Sequence, residues 1–248
     1  MHIERHGTGP ALVLIHGWAM HGGLFAPLVR ELAPHFTVLA VDLPGHGRSA
    51  PPDGEFSVPR IAQALAEGLD EPAIWAGWSL GGLVALHAAA SWPEKVTALV
   101  EIASNPRFVH GEDWPHGVDD AVFRQFGAGL VQDWRGTVER FLALEALGSE
   151  AATAELRHLK TEVFAHGEPD PSVLRQGLRV LDETDLRSAL PELAMPSLWI
   201  AGRRDRLVPP AAMRHAAELA RGSFLQLPTG HMPFLSHAEQ MTQAILQL

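Results

Sequence analysis

The chain has 248 residues, 19 Lys and Arg against 29 Asp and Glu for a net charge of −10, 46% hydrophobic residues and no cysteine. That length suits one large domain, or one domain carrying an insertion, and the composition is that of a folded globule. Thiolate nucleophiles, thiolate zinc sites and iron–sulfur clusters are excluded, and the acidic balance argues against a general nucleic-acid binder. No apolar run approaches the ~20 residues that span a bilayer, and Met1–Gly7 lacks the basic flank and apolar stretch of an export signal. A cytoplasmic monomer with no membrane partner is the expectation.

Taken in chain order, short apolar runs alternate with amphipathic stretches. Ala11–Ile15 reads as a buried strand, Leu24–Leu32 as a helix, Phe36–Val41 as a strand, Val58–Leu69 as a helix, Ala73–Ala76 as a strand and Leu80–Ala90 as a helix with a glycine-rich first turn. Val96–Ala103 is a further strand. From Pro106 to Arg187 the rhythm changes to helical stretches, among them Val118–Leu130, Gly136–Leu147 and Ala151–Phe164, with no strong strand run. Alternation resumes at Ser197–Ala201 and continues through Pro210–Ala220 and Ser223–Leu227 to a helix over Ala238–Leu246. The expected fold is α/β: a mostly parallel central sheet with helices on both faces, built from residues 1–105 and 188–248, and interrupted by a helical cap over 106–187.

The most informative segment is Gly77-Trp78-Ser79-Leu80-Gly81, a Gly-x-Ser-x-Gly motif between a predicted strand and a predicted helix. A serine there sits on a tight, strained turn, and a side chain two residues before or after it would collide with the neighbouring strand or helix. The following helix turns its unpaired N–H groups toward the same spot, which favours a developing oxyanion. Ser79 is therefore the expected nucleophile.

A serine hydroxyl needs a histidine base and a carboxylate to orient it. Of 14 histidines, His231 lies in the loop after the last predicted strand, where the carboxyl ends of strands gather binding groups. His16 and His46 lie in glycine-flanked turns that they shape, His87 and His215 fall within helices, and His237 adjoins a helix start. Asp205 follows a strand end and precedes a helix; Asp182 and Asp185 lie in the insertion. An acid pairing merely with Arg203, Arg204 or Arg206 is the plainer reading of Asp205. The order Ser79, Asp205, His231 is the serine, acid, histidine order of α/β-hydrolases. The oxyanion donors expected are the backbone amides of Leu80 and of Trp18, in His16-Gly17-Trp18 directly after the first strand. His21-Gly22-Gly23 lies farther from that strand and more naturally starts the next helix. Dinucleotide, phosphate-loop and zinc-protease motifs are absent, so no cofactor or metal is called for. His110 and His116 lack acids at a recognised ligand spacing.

Together these residues resemble the α/β-hydrolase superfamily over essentially the whole chain. The stretches His16-Gly17-Trp18, Val41–Ser49, Trp75–Leu83, Thr137–Leu144 and His231–His237 are similar to the carboxylesterase family of biotin synthesis, the Trp-flanked elbow and Glu139-Arg140-Phe141-Leu142-Ala143-Leu144 being the more discriminating. The resemblance implies a V-shaped helical cap and cleavage of the methyl ester of pimeloyl-acyl carrier protein. By position it implies that Arg140, Arg157 and Lys160, with Arg135 nearby, receive the acidic carrier, and that Trp18 and Phe141 line the acyl channel. Ordinary pairing with Glu139, Glu155 and Glu162 is the alternative for these arginines. A general short-chain esterase, another cofactor-free serine hydrolase, or a non-catalytic receptor of the same fold are the competing functions; a serine at the elbow argues against enzymes that use aspartate there.

Overall fold

A computed structural model describes residues 1–148 and 152–248. Seven strands form one sheet: β1 (His2–His6), β2 (Ala11–Ile15), β3 (Thr37–Asp42), β4 (Ala73–Trp78), β5 (Val96–Ile102), β6 (Ser197–Gly202) and β7 (Ser223–Leu227). Their order across the sheet is β1-β3-β2-β4-β5-β6-β7, with β1 antiparallel to β3 and every other pairing parallel. All residues of β2, β3 and β6 are buried, which is the signature of strands covered on both faces and explains why they read as continuous apolar runs. The covering helices are α1 (Ala26–Leu32), α2 (Val58–Gly68), α3 (Leu80–Ser91), α8 (Pro210–Leu219), the short α9 (Pro233–Ser236) and α10 (Ala238–Ile245). α1 packs on α10, and α2 on α3.

Between β5 and β6 lie four helices: α4 (Asp120–Gln132), α5 (Trp134–Ala146), α6 (Ala152–Glu162) and α7 (Pro171–Glu183). The expected start of the third, Ala151, lies outside the described residues. α7 is a helix that the apolar pattern alone did not single out. Its signal is local: the Asp170 carboxylate accepts from the amides of Ser172 (2.7 Å) and Val173 (3.2 Å), and Pro171 occupies the first turn, where its missing N–H costs nothing. Val173, Leu174, Leu178 and Leu181 then share its buried face. β1 was missed for the opposite reason: His2-Ile3-Glu4-Arg5-His6 is a half-exposed edge strand with one apolar residue, closed by pairing to β3 rather than by burial.

The β4–α3 junction is the tightest point of the fold. Ser79 has φ +53° and ψ −119°, a conformation that side chains rarely adopt. A Cβ at Gly77 would lie 2.3 Å from the Gly81 carbonyl oxygen, and one at Gly81 would lie 2.2 Å from that of Ile15 at the end of β2. Two main chains therefore touch where glycine alone fits. Gly81→Ala is expected to destabilise the protein by about 1–3 kcal/mol, the usual cost of overpacking, against the small gain alanine brings to an ordinary helix. The midpoint of urea unfolding reads the sign directly.

Candidate active site

The turn at Ser79 is fixed by the end of the neighbouring strand. Its N–H donates to the Ile102 carbonyl (3.0 Å), and its carbonyl accepts from the Ser104 hydroxyl (2.8 Å) and from the Gly82 amide (2.9 Å). Ser79 is 3% exposed. The Leu80 amide opens α3 and so has no acceptor upstream in its helix. The loop after β2 runs beside the same serine: a Cβ at Gly17 would lie 3.2 Å from that of Ser79. The Trp18 backbone is thereby brought to the elbow, while its indole N–H donates to the Leu174 carbonyl of α7 (2.8 Å) and its ring meets Phe141 of α5 edge-on at 4.6 Å.

Asp205 and His231 come together past the carboxyl ends of β6 and β7. His231 Nδ1–H donates to Asp205 Oδ2 (2.8 Å), both side chains being buried, and Asp205 Oδ1 accepts from the amides of Leu207 (2.8 Å) and Val208 (3.0 Å). The acid is thus bound to histidine and backbone, and Arg203, Arg204 and Arg206 are not its partners. Asp185 is engaged with Arg187 at the surface. The hydrogen bond fixes the tautomer and leaves Nε2 as the acceptor; that atom is buried without a partner, and no hydrogen bond joins it to the Ser79 hydroxyl among the described residues. Burial by itself pushes the imidazole pKa down, but the charge and hydrogen bond of Asp205, with a contribution from Glu145, outweigh it and the net direction is up.

Trp78 is the residue whose part sequence reasoning did not assign. Its indole N–H donates to the His231 carbonyl (2.9 Å), its ring lies 5.6 Å from the imidazole, and Phe25 and Phe234 hold it from two sides. The residue before the serine thus anchors the backbone of the histidine loop. Gly202 lets that loop cross the end of β6, since a Cβ there would lie 1.9 Å from the Gly230 carbonyl oxygen.

His16 and His46 shape the loops around the site, as their sequence context suggests. His16 Nδ1–H donates to the Gly17 carbonyl (2.7 Å) and Nε2 accepts from the Leu43 amide (2.9 Å), so the ring is neutral and pins the start of the Trp18 loop. Burial, chiefly, pushes its pKa down to about 3 and that of His46 to about 4. His21 caps the 3₁₀ turn Gly22–Phe25, as expected of a helix start. His116 meets Trp114 edge-on at 5.4 Å and His215 at a tilt at 5.6 Å, and among the described residues no group of three or more His, Asp or Glu is placed to hold a metal ion. No helix is long and apolar enough to cross a membrane among the described residues.

The four cations expected to meet the carrier differ in their surroundings. Lys160 bonds to Glu139 Oε2 (2.5 Å), Arg135 pairs with Glu168, and Arg140 bonds to the Thr137 hydroxyl (2.6 Å) with Asp133 at 3.9 Å. Arg157 is exposed on α6.

Two outcomes test this geometry. Trp78→Phe removes the donor to the His231 carbonyl, and a stability loss of about 1–3 kcal/mol in urea unfolding is expected with the fold retained. The share of stability that depends on neutral His16 and His46 is also expected to fall as pH drops from about 6.5 toward 4. There the unfolded chain protonates His16 and His46 while the folded one keeps them neutral, each contributing up to about 3 kcal/mol. The buried acids Glu101 and Glu145, pushed up to about 8, contribute in the opposite sense. Urea curves at pH 7.5 and 4.5 for the parent and for His46→Asn isolate the histidine share by difference: acidification should be less favourable to the parent than to the variant.

Comparison with known proteins shows the family. A family model described as the alpha/beta hydrolase fold matches residues 10–238. Among curated relatives, a pimeloyl-[acyl-carrier protein] methyl ester esterase of Xanthomonas oryzae pv. oryzae is 55% identical over 99% of this chain and 97% of its own length. One of the same name from Stenotrophomonas maltophilia is 56% identical over 99% of this chain and 95% of its own. Among solved structures, an esterase from Exiguobacterium antarcticum superposes with a TM-score of 0.90 at 20% identity, covering 99% of this chain and 94% of that one. An enol-lactonase from Burkholderia xenovorans gives 0.87 at 21%, covering 99% and 95%. The chain belongs to the α/β hydrolase fold family and, within it, to the ester hydrolases named pimeloyl-[acyl-carrier protein] methyl ester esterases.

Proposed function

We propose that this chain is a serine carboxylesterase that hydrolyses the methyl ester of pimeloyl-acyl carrier protein in biotin synthesis, with Ser79, His231 and Asp205 as its triad. The observation that carries the reading is the buried Asp205–His231 hydrogen bond, with a free Nε2, in a loop bonded to Trp78, the residue before a serine held at positive φ on a strand-to-helix elbow. The names of relatives above 50% identity supply the substrate.

In this reading Ser79 Oγ attacks the ester carbonyl while His231 Nε2 takes its proton. The oxyanion is held by the Leu80 and Trp18 amides, each typically worth ~3–4 kcal/mol. Imidazolium, oriented and stabilised by Asp205, returns the proton to the leaving methoxy group, and methanol departs. Water, deprotonated by the same imidazole, attacks the acyl-enzyme and releases the free carboxylic acid. Residues 106–187 form a helical cap on a core of residues 1–105 and 188–248, and Trp18 and Phe141 wall the acyl channel where cap and core meet. The long acyl chain arrives on an acidic carrier protein, which Arg157 meets first because it is exposed on α6, with Arg140 and Lys160 beside it once their surface pairs exchange. The working form is a cytoplasmic monomer that needs no cofactor.

The test compares kcat/KM for the carrier-bound methyl ester and for p-nitrophenyl acetate. Ser79→Ala is expected to lower both by at least ~10³-fold. Arg157→Glu is expected to cost about tenfold on the carrier-bound ester alone, the signature of lost charge complementarity. Turnover of the free ester only would make the chain a general short-chain esterase; full activity in Ser79→Ala would remove the triad.

A further inference from the structure

The elbow rests on side chains that the triad does not use. Glu101 of β5, level with Gly77 in the sheet register, is 1% exposed and shares a hydrogen bond with Ser104. Gly82 makes room for the pair: a Cβ there would lie 2.1 Å from Ser104 Oγ and 2.2 Å from Glu101 Oε2, so both oxygens crowd one point against the first turn of α3. Ser104 Oγ in turn donates to the Ser79 carbonyl at 2.8 Å, while Glu101 Oε1 is buried without a partner.

Counting protons fixes the direction of these bonds. A carbonyl only accepts, so the single Ser104 hydroxyl proton is committed to Ser79. Toward Glu101 the same hydroxyl is left to accept, and its donor has to be a protonated carboxyl. Burial, chiefly, pushes that carboxyl up to about 8, so it holds its proton at neutral pH. The elements around it bring no charge close. β4, β6 and residues 103–106 carry no titratable side chain, and Glu94 and Lys95 stand before the opposite end of β5. His87, the one titratable residue of α3, meets the Ser91 hydroxyl at 3.4 Å.

The Ser79 carbonyl and the Leu80 N–H are two ends of one planar peptide unit. Fixing the first therefore aims the second, and donation into the carbonyl strengthens the amide as a donor. We propose that Glu101 is a positioning residue for the oxyanion site: its carboxyl, the Ser104 hydroxyl and the Ser79–Leu80 peptide form a one-way hydrogen-bond relay that ends at the Leu80 N–H. The proposal rests on the esterase reading, in which that amide receives the oxyanion. Ionisation breaks the relay at its first link. A carboxylate at 101 competes with the Ser79 carbonyl for the one Ser104 proton, so the hold on the peptide weakens as pH rises through about 8.

The test follows kcat and KM for p-nitrophenyl acetate over roughly pH 6 to 9.5 in the parent, Glu101→Gln and Glu101→Met. The parent is expected to lose kcat above about pH 8. Glu101→Gln, whose side-chain amide donates at every pH, should keep the neutral-pH rate and lack that alkaline fall. Glu101→Met has no donor and is expected to lose about three- to tenfold in kcat at pH 7 with KM unchanged, a fraction of what deleting an oxyanion donor costs. The ¹H–¹⁵N resonance of the Leu80 amide, recorded without substrate, should move between about pH 7 and 9 in the parent and stay still in Glu101→Gln. An alkaline fall or a Leu80 movement shared by parent and Glu101→Gln overturns the proposal, as does a Glu101→Gln rate loss uniform across pH. A Glu101→Met protein with the parent's kcat overturns it too; should that variant fail to fold, the parent and Glu101→Gln decide. Because the Leu80 resonance needs no turnover, it decides the role of Glu101 even if Ser79→Ala keeps its activity and the esterase reading falls.

Discussion

The structure turns on the contact between main chains where β4 gives way to α3. Within a few residues the backbone reverses at Ser79 with positive φ, Gly81 comes against the end of β2, and Ser79 is tied through its N–H and carbonyl to Ile102 and Ser104 at the end of β5. A strained turn persists only when its surroundings over-determine it. Here three adjacent strands do so, and the consequence is positional. The serine stands at the carboxyl end of β4, α3 begins at the next residue, and the loop after β2 passes beside it.

Beneath that turn lies a second device of the same kind. Glu101 of β5, level with Gly77 in the sheet register, is fully buried, and burial pushes its carboxyl up to about 8 despite a hydrogen bond with Ser104. The protonated acid can donate to Ser104, whose own hydroxyl donates to the Ser79 carbonyl. A neutral polar chain thereby supports the elbow without placing a charge under the nucleophile. The contrast with Asp205 is instructive, since that carboxylate receives two amides and an imidazole N–H.

How much of this the sequence discloses follows from how local each determinant is. The elbow is legible because its requirement falls on five consecutive residues, and the strands are legible because burial on both faces makes them uniformly apolar. Asp205 and His231 are legible as loop residues after strand ends, although their separation of 26 positions hides the hydrogen bond itself. Trp78 carries no such mark: its indole bonds to a carbonyl 153 residues away, and nothing in a Gly-Trp-Ser sequence distinguishes an anchor from core filling. Glu145 is hidden for a related reason. In Leu144-Glu145-Ala146 it reads as a solvated helix residue, and only the packing of α5 across the core turns it inward.

On the proposed esterase reading, the same packing couples the helical insertion to the chemistry. The Trp18 side chain is held by two helices of the β5–β6 insertion, through the Leu174 carbonyl on α7 and the ring of Phe141 on α5. The indole N–H is buried and would lose its acceptor if α7 moved away, a cost comparable to any unsatisfied buried donor. Ser79 and His231 are almost wholly covered in this arrangement, yet a carrier-bound acyl chain must reach them. Cap movement large enough to admit the chain therefore perturbs the loop that presents the Trp18 amide, and re-seating of the cap restores it. On the esterase reading, substrate entry and completion of the oxyanion site are then one structural event, with Trp18 as the joint between them.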